Sequence, residues 1–202
     1  MGHLTERLVL ASASDARAKL LVDAGVDVLV APAHIDEGAL KARLVAEGVD
    51  AGRCALALAE AKAVTVSGCH RDTLTIGADQ ILVCDGVWFG KPAHLGEARR
   101  QLVALRGRSH VLKTAVCAAR NGERLWQAKS DPRLMMRWFS DAFLDDYLAV
   151  EGEAILGSVG AYRLEGRGVQ LFERIDGDYF AVLGLPLLEL LRFLRGRGSL
   201  RD

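Results

Sequence analysis

Two charged side chains bracket a predicted hairpin in the stretch TIGADQILVCDGVWFGKP, which runs from Thr75 to Pro92. Asp85-Gly86 separates two apolar runs, and Asp-Gly in that position is a strong hairpin signal. Asp79 precedes the first run and Lys91 follows the second, so strand pairing should bring these two side chains together. A structural ion pair would explain them. So would a site in which Asp79 holds Mg²⁺ or orients a water while Lys91 neutralises a phosphate.

A serine-rich turn, ASASDAR, follows the first apolar run and begins a helix. The free backbone N–H groups at the start of a helix suit a phosphate, and Ser12 and Ser14 add hydroxyl groups there. Arg17 could contribute a bidentate contact to the same anion. An ordinary surface arginine in the first helical turn is the simpler interpretation of Arg17.

Other charged residues also allow a structural and a chemical interpretation. Asp36 and Glu37, in HIDEG, could bind a divalent cation, although capping of the following helix is simpler. Lys62 lies in an alanine-rich helix, where a lysine normally points to solvent. Glu165 lies between glycines in GAYRLEGRG, so it is either close to a ligand, where it would accept hydrogen bonds from a base edge, or part of an exposed turn.

Strands and helices alternate in the first part of the chain, and hairpins dominate the middle. We expect an N-cap at Ser14 or Asp15, another at Ser140, and a second hairpin that turns at Asn121-Gly122. The motifs GDY and GLP, at 177–179 and 184–186, bracket a predicted short strand before the last helix. This pattern predicts an α/β fold with a mixed sheet and flanking helices.

Composition limits the classes of function. A length of 202 residues suits one domain, with or without two lobes, and a formal net charge of +0 removes the simple argument for binding a nucleic acid polymer. The four cysteines form no CxxC pair and are interpreted as reduced core thiols. No apolar stretch approaches a membrane span or a signal sequence, so we expect a cytoplasmic protein with no membrane partner. No GxGxxG follows the first strand, which argues against an ordinary dinucleotide-binding enzyme.

In order along the chain, a series of short motifs resembles the Maf proteins, which are nucleotide pyrophosphohydrolases. These motifs are ASASDAR, IDE, LALAEAKA, GADQ, GKP, SVGAY, EGRGVQLFERIDGDY and GLPL, and the similarity extends from Leu8 to Leu194. The resemblance implies one domain over residues 1–202, with two lobes around a central cleft as in inosine-triphosphate pyrophosphatases, and a homodimer. It implies that a nucleoside triphosphate is hydrolysed to the monophosphate and pyrophosphate with Mg²⁺ or Mn²⁺ as cofactor. The implied role of this reaction is to remove modified nucleotides. The family is also linked to septum formation, so a nucleotide-binding regulator of cell division with little turnover stays open.

The resemblance gives each isolated charge a role. Asp79 corresponds to the general base and also to a metal ligand, and Glu37 corresponds to an acid near the metal. The positions that would contact phosphate are Ser12, Ser14, Arg17, Lys62 and Lys91. A positioned base accelerates such reactions by about 10²–10⁴-fold, so loss of Asp79 should be severe.

The chain also departs from the family pattern. The SPRR segment of the family is here Ser14-Asp15-Ala16-Arg17, which lacks the proline and the first arginine, and Ser158 stands where many members have lysine. An acid in the phosphate turn would lower the local positive potential. These differences predict weaker binding of a triphosphate.

Three positions bear on substrate choice. Gln80 and Glu165 resemble the residues of the branch that acts on 7-methyl-GTP. The branch that acts on dTTP and UTP typically has threonine at the position of Gln80 and glutamine at the position of Glu165. A carboxylate can accept hydrogen bonds from N1–H and the exocyclic amine of guanine. The 7-methyl-GTP branch tends to carry tryptophan where this chain has Ala16, so that stacking contact is absent. We therefore expect a purine-leaning or broad preference.

Overall fold

The computed structural model describes residues 6–200, and a mixed sheet of eight strands forms its centre. The strands are β1 (Leu8–Leu10), β2 (Val28–Val30), β3 (Leu74–Cys84), β4 (Val87–Phe89), β5 (Ser109–Arg120), β6 (Glu123–Ser130), β7 (Arg133–Met136) and β8 (Phe172–Asp176). Their order is β2-β1-β3-β5-β7-β8, with β4 paired to β3 and β6 paired to β5. β1 is parallel to β2 and β3, and the other pairs are antiparallel. The predicted mixed α/β class is confirmed.

Each α-helix except the last follows a residue whose side chain caps it. They are α1 (Asp15–Asp23), α2 (Glu37–Ala46), α3 (Ala51–Cys69), α4 (Leu95–Leu105), α5 (Asp141–Glu151), α6 (Tyr179–Val182) and α7 (Leu187–Gly196), with 3-10 turns at Gly152–Gly157, Val159–Ala161 and Arg167–Leu171. The side chains of Ser14, Asp36, Asp50 and Ser140 each accept a hydrogen bond from a backbone N–H in the first turn of their helix. Of the two expected caps of α1, the structure selects Ser14.

Both predicted hairpins are present with their expected turn residues. Asp85 and Gly86 have φ values of 48° and 80°, and Asn121 and Gly122 have 52° and 83°. Two successive residues in the left-handed region match the twist of the flanking strands, and Asn and Gly adopt that region readily. The first turn sets the register in which Leu82 pairs with Phe89.

The strand β3 connects the apolar clusters of the molecule. Ile76 packs with residues of α1 and α7, Ile81 packs with α3, and Leu82 packs with α4 and α5. Asp79 and Gln80 interrupt this apolar strand at its middle, and Asp79 is only 8% exposed. A buried carboxylate is costly unless it is paired, so this position demands a partner from a neighbouring element.

That neighbouring element is α3, which packs directly on β3. A Cβ atom at Gly77 would overlap the carbonyl oxygen of Ala59 and would lie 2.7 Å from the amide nitrogen of Ala63. Only glycine therefore permits this distance between helix and strand. The close approach places Lys62, on the same turns of α3, above Asp79.

One predicted element is wrong. The run between GDY and GLP is the short helix α6, whereas we expected a strand. Asp178 accepts a hydrogen bond from Phe180 N at 2.9 Å and so caps the helical turn. Within that turn, Ala181 and Val182 are buried. A capped turn of four residues with an apolar sequence has the same local pattern as a short strand.

The cysteines follow the expectation with one exception. Cys54, Cys84 and Cys117 are free and buried, as core thiols should be. Cys69, at the end of α3, is free but exposed, so its interpretation as a core thiol is wrong. Cys69 is the last residue of α3, where Gly68 and Cys69 are exposed although Val66 and Ser67 are buried.

The remaining general expectations have different outcomes. Among residues 6–200, no helix is both long enough and apolar enough to cross a membrane. The assignment of residues 1–202 to one domain stays a prediction, and residues 1–5 and 201–202 lie outside the part that the structure describes.

Candidate active site

A pocket of about 360 Å³ opens beside the middle of β3. Its wall is formed by the turn before α1, the starts of α1 and α2, helix α3, strand β3, the loop after β4 and two later loop segments. The volume is typical of small-molecule sites, which span about 300–1,000 Å³. Every residue predicted for the site lies in this wall, namely Ser12, Ser14, Ala16, Arg17, Glu37, Lys62, Asp79, Gln80, Lys91 and Glu165.

An ammonium group between two carboxylates forms the centre of the pocket. Lys62 Nζ lies 2.7 Å from Asp79 Oδ1 and 2.8 Å from Glu37 Oε2. The side chains of Lys62 and Asp79 are 9% and 11% exposed, whereas that of Glu37 is 50% exposed. These are charge-assisted contacts of the shortest kind, and they offset the cost of burying Lys62 and Asp79.

The simpler interpretation of Lys62, as a helical lysine that points to solvent, is therefore wrong. The expected pairing of Asp79 with Lys91 across the hairpin also changes. Both residues line the pocket, but among residues 6–200 the ion pairs of Asp79 include Lys62 and not Lys91. The two acids after β2 have different roles. Asp36 caps α2, whereas the carboxylate of Glu37 forms an ion pair with Lys62.

Arg17 joins three parts of the pocket wall. Its Nε donates to the carbonyl oxygen of Gly184 at 2.8 Å, and its Nη1 donates to Ala78 O at 2.9 Å and to Ser12 Oγ at 3.1 Å. Burial lowers its pKa, and the negative charges of Asp79 and Glu37 act in the opposite direction. Two of the three guanidinium nitrogens, Nε and Nη1, thus donate hydrogen bonds within the protein and not to a phosphate. Nη2 has no hydrogen-bond acceptor among the described residues.

Hydrogen bonds between its own residues stabilise the serine-rich turn before α1. Ser12 Oγ accepts from Ser14 N at 3.2 Å, and Ser14 Oγ accepts from Arg17 N at 3.4 Å. Asp15 is exposed and is not among the described residues of the pocket wall, whereas Ala16 is. Of the two positions that depart from the family pattern in this turn, Ala16 therefore contributes an uncharged residue to the pocket wall.

A loop between β4 and α4 carries Lys91 into the pocket. Gln101, in α4, donates from Nε2 to the carbonyl oxygen of Gly90 at 3.2 Å and so anchors the residue before Lys91. The pKa of Lys91 is lowered, first by loss of hydration in the pocket and then by repulsion from Arg17 and Lys62. The sequence analysis did not identify Gln101, because one polar residue on the buried side of an amphipathic helix has no motif.

Gln80 contacts the protein main chain. Its Nε2 donates to Thr114 Oγ1 at 2.8 Å, to Ala181 O at 2.8 Å and to Val182 O at 3.3 Å. These bonds fix the end of α6 against the sheet, next to the Gly184 carbonyl that Arg17 holds. Gln80 therefore shapes the wall of the pocket, and its amide N–H groups are occupied without a ligand.

The opposite wall contains Glu165 on a turn that is tightly constrained. Glu151, at the end of α5, has a side chain that is only 8% exposed; it accepts a hydrogen bond from Arg167 N at 3.1 Å, and Arg163 lies 3.8 Å from the same carboxylate. A Cβ atom at Gly168 would overlap the backbone of Arg163. The turn thus holds Glu165 in the pocket wall although its side chain remains 39% exposed.

A buried histidine supports the same wall from behind. His110 Nε2 lies 2.9 Å from the hydroxyl oxygen of Tyr162, whose side chain also lines the pocket. Burial lowers the pKa of His110 to about 4, so the ring is neutral near pH 7. Tyr162 is part of the motif SVGAY, but no local sequence pattern links it to His110, which lies 52 residues earlier in the chain.

Two carboxylates in the pocket fit a divalent cation chemically. Glu37 and Asp79 offer oxygen ligands, which Mg²⁺ and Mn²⁺ prefer, and both already converge on one cationic nitrogen. Within residues 6–200, however, no group of three or more His, Cys, Asp or Glu side chains could hold a metal ion. A metal at this position would need further ligands from water or from a bound molecule.

Comparison with known proteins identifies the family. The Maf-like protein family matches residues 7–197. A protein of Granulibacter bethesdensis named nucleoside triphosphate pyrophosphatase is 53% identical over 96% of this chain and 98% of its own length. A protein of Mesorhizobium japonicum named 7-methyl-GTP pyrophosphatase is 46% identical over 98% of this chain and 99% of its own length. Matches of this extent show that the chain belongs to the Maf-like protein family.

Proposed function

We propose that this protein hydrolyses a nucleoside triphosphate to the monophosphate and pyrophosphate. The observation that carries the proposal is the convergence of Asp79, Lys62 and Lys91 on one pocket, with Arg17 in the same wall. The names of the relatives, nucleoside triphosphate pyrophosphatase and 7-methyl-GTP pyrophosphatase, support the same reaction.

The chemistry follows from the charges. Water attacks the α-phosphorus, the bond from that phosphorus to the bridging oxygen breaks, and the electron pair leaves with pyrophosphate. Arg17, Lys62 and Lys91 would neutralise the triphosphate, which otherwise repels the attacking oxygen, and would favour the leaving group. Asp79 would accept the proton that the water loses. Mg²⁺ or Mn²⁺ held by Glu37 and Asp79 would add Lewis-acid stabilisation of the developing charge.

The alternative, a nucleotide-binding regulator with little turnover, is less well supported. A protein that only binds a nucleotide has no need for a buried carboxylate beside the phosphate-binding cations, and Asp79 occupies that position. A net charge of +0 argues against a nucleic acid polymer as partner. A homodimer and the removal of modified nucleotides rest on the family resemblance. A cytoplasmic location rests on the sequence pattern alone and stays an expectation.

Release of pyrophosphate from a panel of triphosphates tests the proposal. The panel holds UTP, dTTP, CTP, GTP, ATP and 7-methyl-GTP, each with Mg²⁺ and with Mn²⁺. We expect strong release from at least one member of the panel. Absence of release across the panel, with nucleotide binding still measurable, would favour the regulator and would point to the cation missing at Ala16.

Glu165 should set the preference among bases. We expect Glu165→Gln to lower kcat/KM for guanine triphosphates about 10- to 100-fold relative to UTP, because a charge-assisted hydrogen bond to the N1–H and amine of guanine contributes about 1.5–3 kcal/mol. The measurement is kcat/KM across the panel. Glu153→Gln is the matched control, since Glu153 is an exposed acid in the preceding turn, outside the described wall. An unchanged substrate profile for Glu165→Gln would refute this role.

A further inference from the structure

Lys62 occupies the position between the two carboxylates that a metal would use. Its Nζ contacts Asp79 Oδ1 at 2.7 Å and Glu37 Oε2 at 2.8 Å, and its side chain is 9% exposed. Among residues 6–200, the ion pairs of Glu37 and of Asp79 are those with Lys62 alone. One ammonium is therefore the ion-pair partner that Glu37 and Asp79 share.

The same carboxylates are a poor metal site by themselves. They are two in number, and the described part of the chain offers no third His, Cys, Asp or Glu that would complete a metal-binding group. Mg²⁺ in nucleotide enzymes is typically held by one or two carboxylates together with substrate phosphates. Any divalent ion that enters the pocket without a nucleotide must also displace, or be repelled by, a buried lysine.

The cost of displacing Lys62 depends on what replaces its partners. Without a nucleotide, an ammonium moved from both carboxylates would be left partly buried and unpaired, which is strongly unfavourable. A polyphosphate offers the ammonium new anionic oxygens within the same pocket, so that the exchange of partners becomes possible. Arg17 and Lys91 already lie in the wall, although Arg17 is held by Gly184 and Ala78.

We infer that Lys62 is the resident counterion of Glu37 and Asp79 and that it keeps divalent metal out of the pocket until a polyphosphate arrives. Metal and polyphosphate then bind together, since the phosphate oxygens both attract Lys62 and complete the metal coordination. This inference rests on the proposed function for the identity of the second ligand. The competition between Lys62 and a metal rests on the ion pairs alone.

Binding of Mn²⁺ to the protein without nucleotide tests the competition. Free Mn²⁺ is measured by electron paramagnetic resonance during titration of the native chain, Lys62→Met, Lys62→Arg and Lys91→Met. We expect Lys62→Met to bind Mn²⁺ at least about tenfold more tightly than the native chain. Lys62→Arg keeps the charge and should show no such gain. Lys91→Met removes a pocket charge that forms no ion pair with Asp79 or Glu37, and we expect a gain of less than about threefold.

A second titration adds α,β-methylene analogues of GTP and UTP, which resist hydrolysis at the bond in question. The native chain should bind Mn²⁺ at least about tenfold more tightly with an analogue than without it, and Lys62→Met should lose most of this difference. Thermal unfolding shows whether each variant is folded, and Lys62→Gln replaces Lys62→Met if the latter is not. Equal Mn²⁺ affinity of the native chain and the uncharged Lys62 variant, or equal gains at Lys62 and Lys91, would overturn the inference.

The outcomes separate this inference from the proposed function. Tighter Mn²⁺ binding by Lys62→Met together with no pyrophosphate release from the panel would leave the counterion role standing and refute the hydrolase. Pyrophosphate release by the native chain together with unchanged Mn²⁺ binding by Lys62→Met would refute the counterion role alone.

Discussion

Asp79→Asn is expected to lower kcat for pyrophosphate release at least about 100-fold while KM for the nucleotide changes little, because a positioned base contributes about 10²–10⁴-fold to such steps. The substitution removes the oxygen anion that would accept the proton, and it would weaken one of the two proposed metal ligands. It leaves the cations of the wall in place. Steady-state kinetics with the best triphosphate of the panel, at saturating Mg²⁺, measures both parameters.

The structure explains why this variant should remain folded. Asparagine has the shape of aspartate, and its amide oxygen can still accept a hydrogen bond from Lys62. Lys62 also keeps its contact with Glu37 at 2.8 Å, so it is not left without a counterion. Asp23→Asn is a suitable control, since Asp23 pairs with Lys19 on the exposed face of α1. A kcat near the native value for Asp79→Asn would exclude Asp79 as the base.

Local features of the fold could be predicted from the sequence because their causes are local. The turn residues Asp85-Gly86 and Asn121-Gly122 have the backbone angles that their types favour, and they lie at the turns of the two hairpins. Ser140 and Ser14 cap helices because a short polar side chain can reach the free N–H groups of the next turn. Distant contacts add to these features, as where Asn121 Oδ1 accepts from Asp72 N, but residue type already indicates them.

The partners of the site residues could not be predicted in this way. Lys62 meets Asp79 because α3 packs on β3 at Gly77, and spacing along the chain gives no sign of that contact. The N–H groups of Gln80 bind carbonyl oxygens about a hundred residues away, at Ala181 and Val182. The positions of such residues could be taken from a family resemblance, but their hydrogen-bond partners could not.

The error at α6 has the same origin. Its sequence, YFAV, is apolar enough for a strand, and its helical turn depends on the cap at Asp178 and on burial against the pocket wall. The carbonyl groups of this turn accept hydrogen bonds from Gln80. The segment whose secondary structure was predicted wrongly is therefore also part of the site. Tertiary contacts here outweigh local preference.

Gly77→Ala should both destabilise the protein and reduce its activity. The added methyl group would overlap the carbonyl oxygen of Ala59 and approach Ala63 N to 2.7 Å, and backbone atoms of a helix cannot move aside individually. Overpacking of this kind costs about 1–3 kcal/mol, which corresponds to a fall in Tm of about 3–10 °C for a chain of this size. Calorimetry gives the change in Tm, and kcat/KM for the best triphosphate gives the change in activity.

The loss of activity should exceed what partial unfolding explains, since α3 carries Lys62 and a helix that moves away from β3 separates its ammonium from Asp79. Gly68→Ala is the matched control on the same helix, because its Cβ would meet no atom within 4 Å. Alanine is the better helix former by up to about 1 kcal/mol, so this variant should be as stable as the native chain or slightly more stable, with native kcat/KM. If Gly77→Ala retains native Tm and native kcat/KM, close packing of α3 on β3 does not position the ion pair. If it loses activity in a fully folded state while Gly68→Ala does not, the distance between α3 and β3 is what holds Lys62 and Asp79 in working geometry.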